Sequence, residues 1–370
     1  MVSKPYIIFF YNFYKNKGKI EYFSYSKSIM ENNVRIRTYL NERNTLSHYA
    51  ALSENTKGRA RVEEPCAMRT DYQRDRDRII YCKAFVRLKN KTQVFFSPEG
   101  DHYITRLTHT LDVAQIARSI ARALMLNEDL AEAIALGHDL GHTPFGHSGE
   151  RILNKLSPCG FRHNKQSLRV VDILEKDGKG LNLTYEVRDG IVNHNGDNAA
   201  TLEGRCVHLA DRIAYINHDL NDAIRAGVLR ESDVPADIIA VLGTTSRERI
   251  NTAVTSIWRN SSDKPFVRME DDVAHASNAL RQFMFDRVYR TKYAMGEEEK
   301  AERMLSEMYY YFVKHPENLP EIYRMIADSE GEDRAVCDYI SSMTDRYAIY
   351  IFNKIFVPQG WLFINELNNG

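Results

Sequence analysis

From His138 to Glu150 the chain reads His-Asp-Leu-Gly-His-Thr-Pro-Phe-Gly-His-Ser-Gly-Glu, which puts three imidazoles and two carboxylates in thirteen residues. Such a density calls for a fold that serves chemistry at this point. Imidazole and carboxylate together suit a borderline or hard divalent cation. The adjacent His138 and Asp139 can both reach one ion where a helix ends and the backbone turns outward. Two further ligands are needed. His109 lies on the amphipathic stretch Ile104 to Met125, where Leu107, Leu111, Ala114, Ala117, Ile120, Ala121 and Leu124 follow helical spacing. Asp211 opens Asp-Arg-Ile-Ala-Tyr-Ile-Asn-His-Asp219, again with helical periodicity. Each helix would offer one ligand from a rigid wall. Taken singly, a helical histidine is more often a hydrogen-bonded core residue, and an aspartate beside Arg212 more often a surface pair. The joint pattern is what points to metal.

The order His109, His138-Asp139, Asp211 is similar to the H…HD…D signature of the HD-domain phosphohydrolases. The flanking text resembles their deoxynucleoside triphosphate triphosphohydrolase branch, the dGTPase-like proteins. It comprises RDRDRIIYCKAFVRLKNKTQVF (Arg74 to Phe95), TRLTHTLDVAQIAR (Thr105 to Arg118), HDLGHTPFGHSGE (His138 to Glu150), LADRIAYINHDLNDAI (Leu209 to Ile224) and DYISSMTDRYA (Asp338 to Ala348). The resemblance spans roughly Arg35 to Trp361. It implies metal-dependent hydrolysis of deoxynucleoside triphosphates, dGTP or several, to deoxynucleoside and tripolyphosphate by water attack at the α-phosphorus. His109, His138, Asp139 and Asp211 would hold the ion, which the residues leave open among Mn, Mg, Fe, Ni and Zn.

The departing oxygen needs an acid. His147 and Glu150 stand at i, i+3, so a helix would let the carboxylate hold the imidazole in one tautomer and raise its basicity. We read His147 as that acid and Glu150 as its orienter. His142 would contact the phosphate under attack, and His163 would be a phosphate residue or a support behind it; the bland reading of His163 is a loop histidine without a role. The resemblance implies a phosphate-contacting Arg106 and a deoxyribose site made of Gln93, Tyr215 and Asp219. Tyr215 and Asp219 follow Asp211 at i+4 and i+8, near one helical face. Arg212 is expected to reach the β or γ phosphate, while Arg281, Arg287 and Lys292 are weaker phosphate candidates. Val86 and Tyr81 stand where relatives often carry Arg and His, which leaves base preference open. Asp345 and Arg346 belong to the last block, with a helix-packing ion pair as their default role.

Two other readings compete. An HD phosphodiesterase or nucleotidase would keep the metal ligands but has no need of the Tyr215 and Asp219 pair. A noncatalytic sensor would bind nucleotide or single-stranded nucleic acid through the segment Lys57 to Lys91, which carries eleven Lys/Arg against five Asp/Glu. That run is either an attractor for a polyanion or a solvated face laced with ion pairs. Nucleic acid is not expected as the main partner; a homo-oligomer with a possible nucleotide effector is.

The 370 residues carry equal numbers of basic and acidic groups, 50 of each, so no global charge drives the chain to nucleic acid or membrane. Five scattered cysteines without a Cys-x-x-Cys pair speak against a disulfide framework or a thiolate zinc site. No apolar run of about eighteen residues is present, and the chain reads as cytoplasmic. Residues 1–29 are aromatic-rich and unlike the rest, which suggests an upstream start with Met30 the functional one, or an added strand or oligomer-contact arm.

The fold class is mainly α, an HD-domain helical core with a small β-hairpin and a C-terminal helical extension. The expected divisions are the atypical segment 1–29, an N-terminal arm and loop over 30–73, a catalytic core over 74–230, and a helical region over 231–370 packed on it. The hairpin would pair Ala84–Leu88 with Gln93–Phe96 across Lys-Asn-Lys-Thr. Helices follow over roughly 104–125, 128–138, 147–156, 164–176, 185–193, 202–226, 233–243, 245–260, 269–291, 297–314, 318–328 and 332–356.

Overall fold

The computed structural model describes residues 33–93, 104–196, 199–289 and 292–358, together with a two-residue antiparallel ladder of Lys15–Asn16 on Lys19–Ile20. The expectations for residues 1–29 otherwise lie outside the described residues, as does most of the second hairpin strand. Helices dominate the described residues.

Three helices carry the metal-site candidates. α4 (Arg106–Ala123) starts at Thr105, whose hydroxyl accepts from the Thr108 N–H in a reciprocal capping box. α5 (Glu128–Gly137) is capped by Asn127 and α9 (Leu202–Arg225) by Thr201. α4 packs along both α5 and α9. Their apolar stripes meet in a core that includes Val113, Ala117, Ile120, Ile134, Ala210 and Ala214. Small residues in that seam let the helices approach closely, so the polar residues on their adjoining edges converge.

α5 ends at His138, and the loop 138–145 leads into α6 (Gly146–Leu156). Gly141 is required there: a Cβ would lie 2.2 Å from the backbone nitrogen of Ser167. That residue belongs to α7 (His163–Arg169), and its hydroxyl accepts from Gly141 N–H at 2.9 Å while donating to the His138 carbonyl at 2.7 Å. Phe145 then turns left-handed at φ 60°. A second core joins α6 to α13 (Lys292–Lys314), α14 (Glu321–Glu330), α15 (Glu332–Ser342) and α16 (Asp345–Phe356) through Leu153, Leu305, Met308, Phe312 and Ile340. A third lies between the end of α9, α10 (Ala236–Leu242) and α12 (Asp271–Met284), which runs on into a π-helical turn over Phe285–Tyr289.

Several expectations are corrected. Ala84–Leu88 is not a strand: α3 (Lys83–Arg87) is helical, and the Glu175 carboxylate accepts the N–H groups of Lys83 at 3.1 Å and Ala84 at 2.7 Å. Those would otherwise be orphaned donors at a helix start, and the partner comes from a distant part of the chain. Helices also occupy Val34–Thr45 (α1) and Asp71–Ile80 (α2), neither of which the periodicity singled out. The expected single helix over 332–356 is two, because Thr344 caps α16 by accepting from Tyr347 N–H. The basic run Lys57–Lys91 is largely paired: Arg59 with Asp75, Arg69 with Asp77, Arg74 and Arg78 with Glu63, and Arg76 with Asp129 and Glu132. It is thus an ion-pair-laced surface rather than an open polyanion attractor. The five cysteines are all free thiols, and among the described residues no helix is long and apolar enough to cross a membrane. α8 (Tyr185–Asn193) and α11 (Ser246–Ser261) complete the frame.

Candidate active site

His109 from α4, His138 and Asp139 from the end of α5, and Asp211 from α9 meet in one cluster, the first three buried and Asp211 partly so. Ligand atoms of His109, His138 and Asp139 all lie within 4.8 Å of one another. Asp211 Oδ1 is 3.0 Å from His109 Nε2 and 3.9 Å from His138 Nε2. His138 Nδ1 donates to the Ala135 carbonyl at 2.6 Å, which leaves Nε2 as the lone-pair nitrogen. That Nε2 is buried and has no hydrogen-bond partner. An orphaned imidazole nitrogen aimed among two carboxylates fits a divalent cation in donor type and in need.

The charges agree. Burial would raise the Asp139 and Asp211 carboxyls, but the neighbouring imidazoles outweigh it at both positions, with the Arg106 guanidinium added at Asp139, and hold them well below the usual carboxylate range. Burial pushes His109 down, toward the neutral form a ligand must have. Arg106 Nη1 donates to Asp139 Oδ2 at 2.6 Å, so its guanidinium sits beside the donor set.

A second group adjoins the first. His142 and His163 stack with ring centroids 4.7 Å apart, and His147 lies 5.3 Å from His142. His142 is buried and pushed well down, first by burial and then by Arg106 and His163. His147 is open, with 72 % of its side chain exposed, and its Nδ1 lies 3.4 Å from Glu150 Oε2. Glu150 is shared: Oε2 also accepts from His163 Nδ1 at 2.9 Å, and Oε1 accepts the His163 backbone N–H at 3.0 Å. The expected His147–Glu150 contact is thus present, and a tighter one to His163 stands beside it. Burial lowers His163, yet the Glu150 hydrogen bond and charge prevail and raise it.

The sugar-side candidates lie along α9. Asp211, Tyr215 and Asp219 share its site-facing side; the Tyr215 hydroxyl bonds with Arg281, and Asp219 accepts from the hydroxyl of Tyr289. Burial lifts the Asp219 carboxyl to about 7 against that hydrogen bond. Gln93 places its backbone carbonyl 3.5 Å from Arg106 Nη2, and its buried Oε1 has no partner. Arg212 is not brought to the donors. Its Nη2 donates to Asn278 at 2.6 Å, and it lines another cavity of about 250 Å³ with Arg249, Asn217 and Ser277.

Three residues at the site escaped the sequence reading. His194 is buried; its Nδ1 donates to the Ile191 carbonyl at 2.7 Å, and its Nε2 lies 3.2 Å from His163 Nε2. Burial, then His138 and His163, push it down to about 3. The signal available was a histidine at the end of an amphipathic helix. Tyr289 and Lys91 carried no comparable signal, the first at the end of a helical stretch and the second inside a charged run.

Residues 106–216 match the HD domain family model and residues 267–354 the phosphohydrolase-associated domain. A deoxyguanosinetriphosphate triphosphohydrolase-like protein of Caldanaerobacter subterraneus subsp. tengcongensis is 58 % identical over 317 residues, 85 % of this chain and 94 % of that protein. A protein of the same description from Clostridium perfringens strain SM101 is 50 % identical over 328 residues, 86 % of this chain and 96 % of that one. Among solved structures, a phosphohydrolase of Bacteroides thetaiotaomicron superposes with TM-score 0.48 at 18 % identity, covering 76 % of this chain and 68 % of that one. With the donor cluster seated inside the matched HD region and relatives this similar along nearly their whole length, the chain belongs to the HD-domain family of dGTPase-like triphosphohydrolases.

Proposed function

We propose that the protein hydrolyses deoxynucleoside triphosphates to deoxynucleoside and tripolyphosphate. Its substrate would be dGTP or several dNTPs, and it would act as a cytoplasmic homo-oligomer open to nucleotide regulation. The carrying observation is that α9 presents Asp211, Tyr215 and Asp219 on one side, so a metal donor, a sugar platform and a hydroxyl acceptor follow in the order a bound nucleotide would need. The orphaned Gln93 Oε1 supports the same reading, since a 3′-hydroxyl would give it a donor.

His109, His138, Asp139 and Asp211 would hold the divalent ion, which when bound supplies Lewis acidity toward a phosphoryl oxygen. The remaining work falls to side chains. Arg106 neutralises phosphate charge beside Asp139. His142, neutral and buried, faces the phosphate under attack. As water adds to the α-phosphorus and the bond to O5′ breaks, that oxygen takes a proton from His147, the most open of the three imidazoles next to Glu150. Glu150 and His163 together hold this edge of the site. The paired state of the 57–91 basic run removes the main support for a single-strand-binding sensor.

Product analysis with each common dNTP and Mn²⁺ tests the proposal. Tripolyphosphate and deoxynucleoside are expected. Pyrophosphate with monophosphate, or stepwise orthophosphate, would reject it in favour of a phosphodiesterase or nucleotidase.

A further inference from the structure

The loop 138–145 has to present His142 and deliver the start of α6, with His147 and Glu150, at fixed positions. Its backbone alone does not do this. Phe145, a residue with a Cβ, sits at φ 60°, a conformation kept only where the surroundings over-determine it. Two buried ionisable side chains supply that determination. The Asp345 carboxylate, 1 % exposed, accepts the Phe145 N–H at 3.1 Å through Oδ1. Through Oδ2 it accepts the Thr92 N–H at 3.0 Å and the Thr92 hydroxyl. The Lys91 Nζ, 2 % exposed, donates to the His142 carbonyl and, at 2.7 Å, to the Ser341 carbonyl.

The attachments bracket the turn, one at His142 and one at Phe145. Their far ends both fall in the block Asp338–Ala348, at Ser341 and Asp345. Burial pushes the Lys91 amine well down and lifts the Asp345 carboxyl, and two such polar groups are costly to bury where apolar residues would pack α15 and α16 at lower cost. What these polar groups provide, and apolar residues would not, is a hold on particular backbone atoms of the loop. Thr92 also bridges to Thr105 at the start of α4, and Lys91 O accepts from Arg106 N–H at 3.1 Å, so the same strut reaches the helix that bears Arg106 and His109.

We propose that Lys91 and Asp345 are positioning residues: a brace through which the C-terminal helices fix the loop carrying His142 and the start of α6. As a statement about catalysis this rests on the hydrolase reading above; as a statement about the loop it stands by itself.

The test uses the full chain with Asp345→Asn and Lys91→Met, and Thr92→Val as a milder variant should either of the others fail to fold. Two readouts are taken. Hydrogen exchange at the Phe145 amide should be about tenfold faster in Asp345→Asn, the size of one lost hydrogen bond, and faster by a smaller factor in Thr92→Val, which only loosens the carboxylate that holds it, while amides in the middle of α4 and α9 keep their wild-type rates. Turnover of the best dNTP should fall about 10²-fold, as for a misplaced catalytic group, with KM and Mn²⁺ content near wild type. Wild-type exchange at Phe145 in folded Asp345→Asn or, where that variant does not fold, in Thr92→Val overturns the brace, whether or not the wild type hydrolyses any dNTP. Faster exchange with unchanged kcat overturns the positioning role, and a loss confined to KM or metal content does the same. If the wild type turns over no dNTP, the hydrolase reading fails and the exchange result still decides the brace.

Discussion

Glu150 grips His163 at two atoms, its Oε1 on the backbone N–H at 3.0 Å and its Oε2 on Nδ1 at 2.9 Å, and thereby ties α6 to the start of α7. Burial pushes the Glu150 carboxyl up, but hydrogen bonds from His147 and His163 outweigh it and keep it ionised. One carboxylate thus serves two imidazoles. The exposed one faces the open side of the site, and the buried one is held from behind by His194.

That arrangement sorts the acid. His147→Ala should keep bound metal and lose roughly 10²-fold or more in turnover, the usual size of a general-acid contribution. Glu150→Gln should cost kcat too, since it disturbs both imidazoles. If His163→Ala abolishes turnover while His147→Ala does not, the proton comes from His163 instead. Single-turnover rates with metal analysis on each variant make the comparison.

Metal ligands should behave differently from the acid. Asp139→Ala or Asp211→Ala removes one of the two carboxylates from a donor set otherwise made of imidazoles, leaving too little charge to hold a hard divalent cation. Metal content and activity should vanish together. Full occupancy in Asp211→Ala, by elemental analysis, would show that the four-residue donor set is wrong.

Sugar selection tests the α9 face. On the proposed reading Tyr215 would pack beneath C2′ and leave no room or partner for a ribose hydroxyl, so Tyr215→Ala should relax discrimination between a matched NTP and dNTP more than it weakens metal binding. A dideoxynucleotide should lose roughly 1–3 kcal/mol for each polar group it leaves unpaired at Asp219 and Gln93. The measurement is kcat/KM for each nucleotide. Equal discrimination in wild type and variant would remove Tyr215 from the sugar site.

Asp219 sets a pH dependence whose sign follows from its position. Burial raises its carboxyl from about 3.9 in an unfolded chain to about 7 in the fold. Between those values the folded state holds the extra proton, so its contribution to stability is greatest at low pH and is lost as pH rises through 7. Asp219→Asn should therefore raise the melting temperature, relative to wild type, more at pH 8 than at pH 5. Under the proposed sugar contact, substrate affinity runs the other way, because an ionised carboxylate accepts a 3′-hydroxyl more strongly than a neutral one: KM for a dNTP should improve from pH 6 to 8 in wild type and lose that dependence in Asp219→Asn. A melting difference that is the same at both pH values would place the Asp219 titration outside this window.

Much of this protein is written in local spacing. The 3.6-residue repeat marks α4, α5 and α9 because the apolar face of a helix is a property of residues three and four apart, and the same repeat puts Asp211, Tyr215 and Asp219 on one side. The His138-Asp139 doublet announces a cation because its donor chemistry is intrinsic to the residue types. What local spacing does not contain is the partner far along the chain. Ala84–Leu88 reads as an apolar strand run yet lies in a helix, whose first N–H groups Glu175 accepts. The basic run at 57–91 closes on itself and on α5 through acids that only folding brings near. Glu150 takes two imidazoles instead of one, His194 joins them from another helix, and Asp345 reaches back some 200 positions in the chain to hold Phe145. Backbone donors and buried charges must be satisfied by whatever the tertiary structure sets beside them, and that choice is made between segments, not within one.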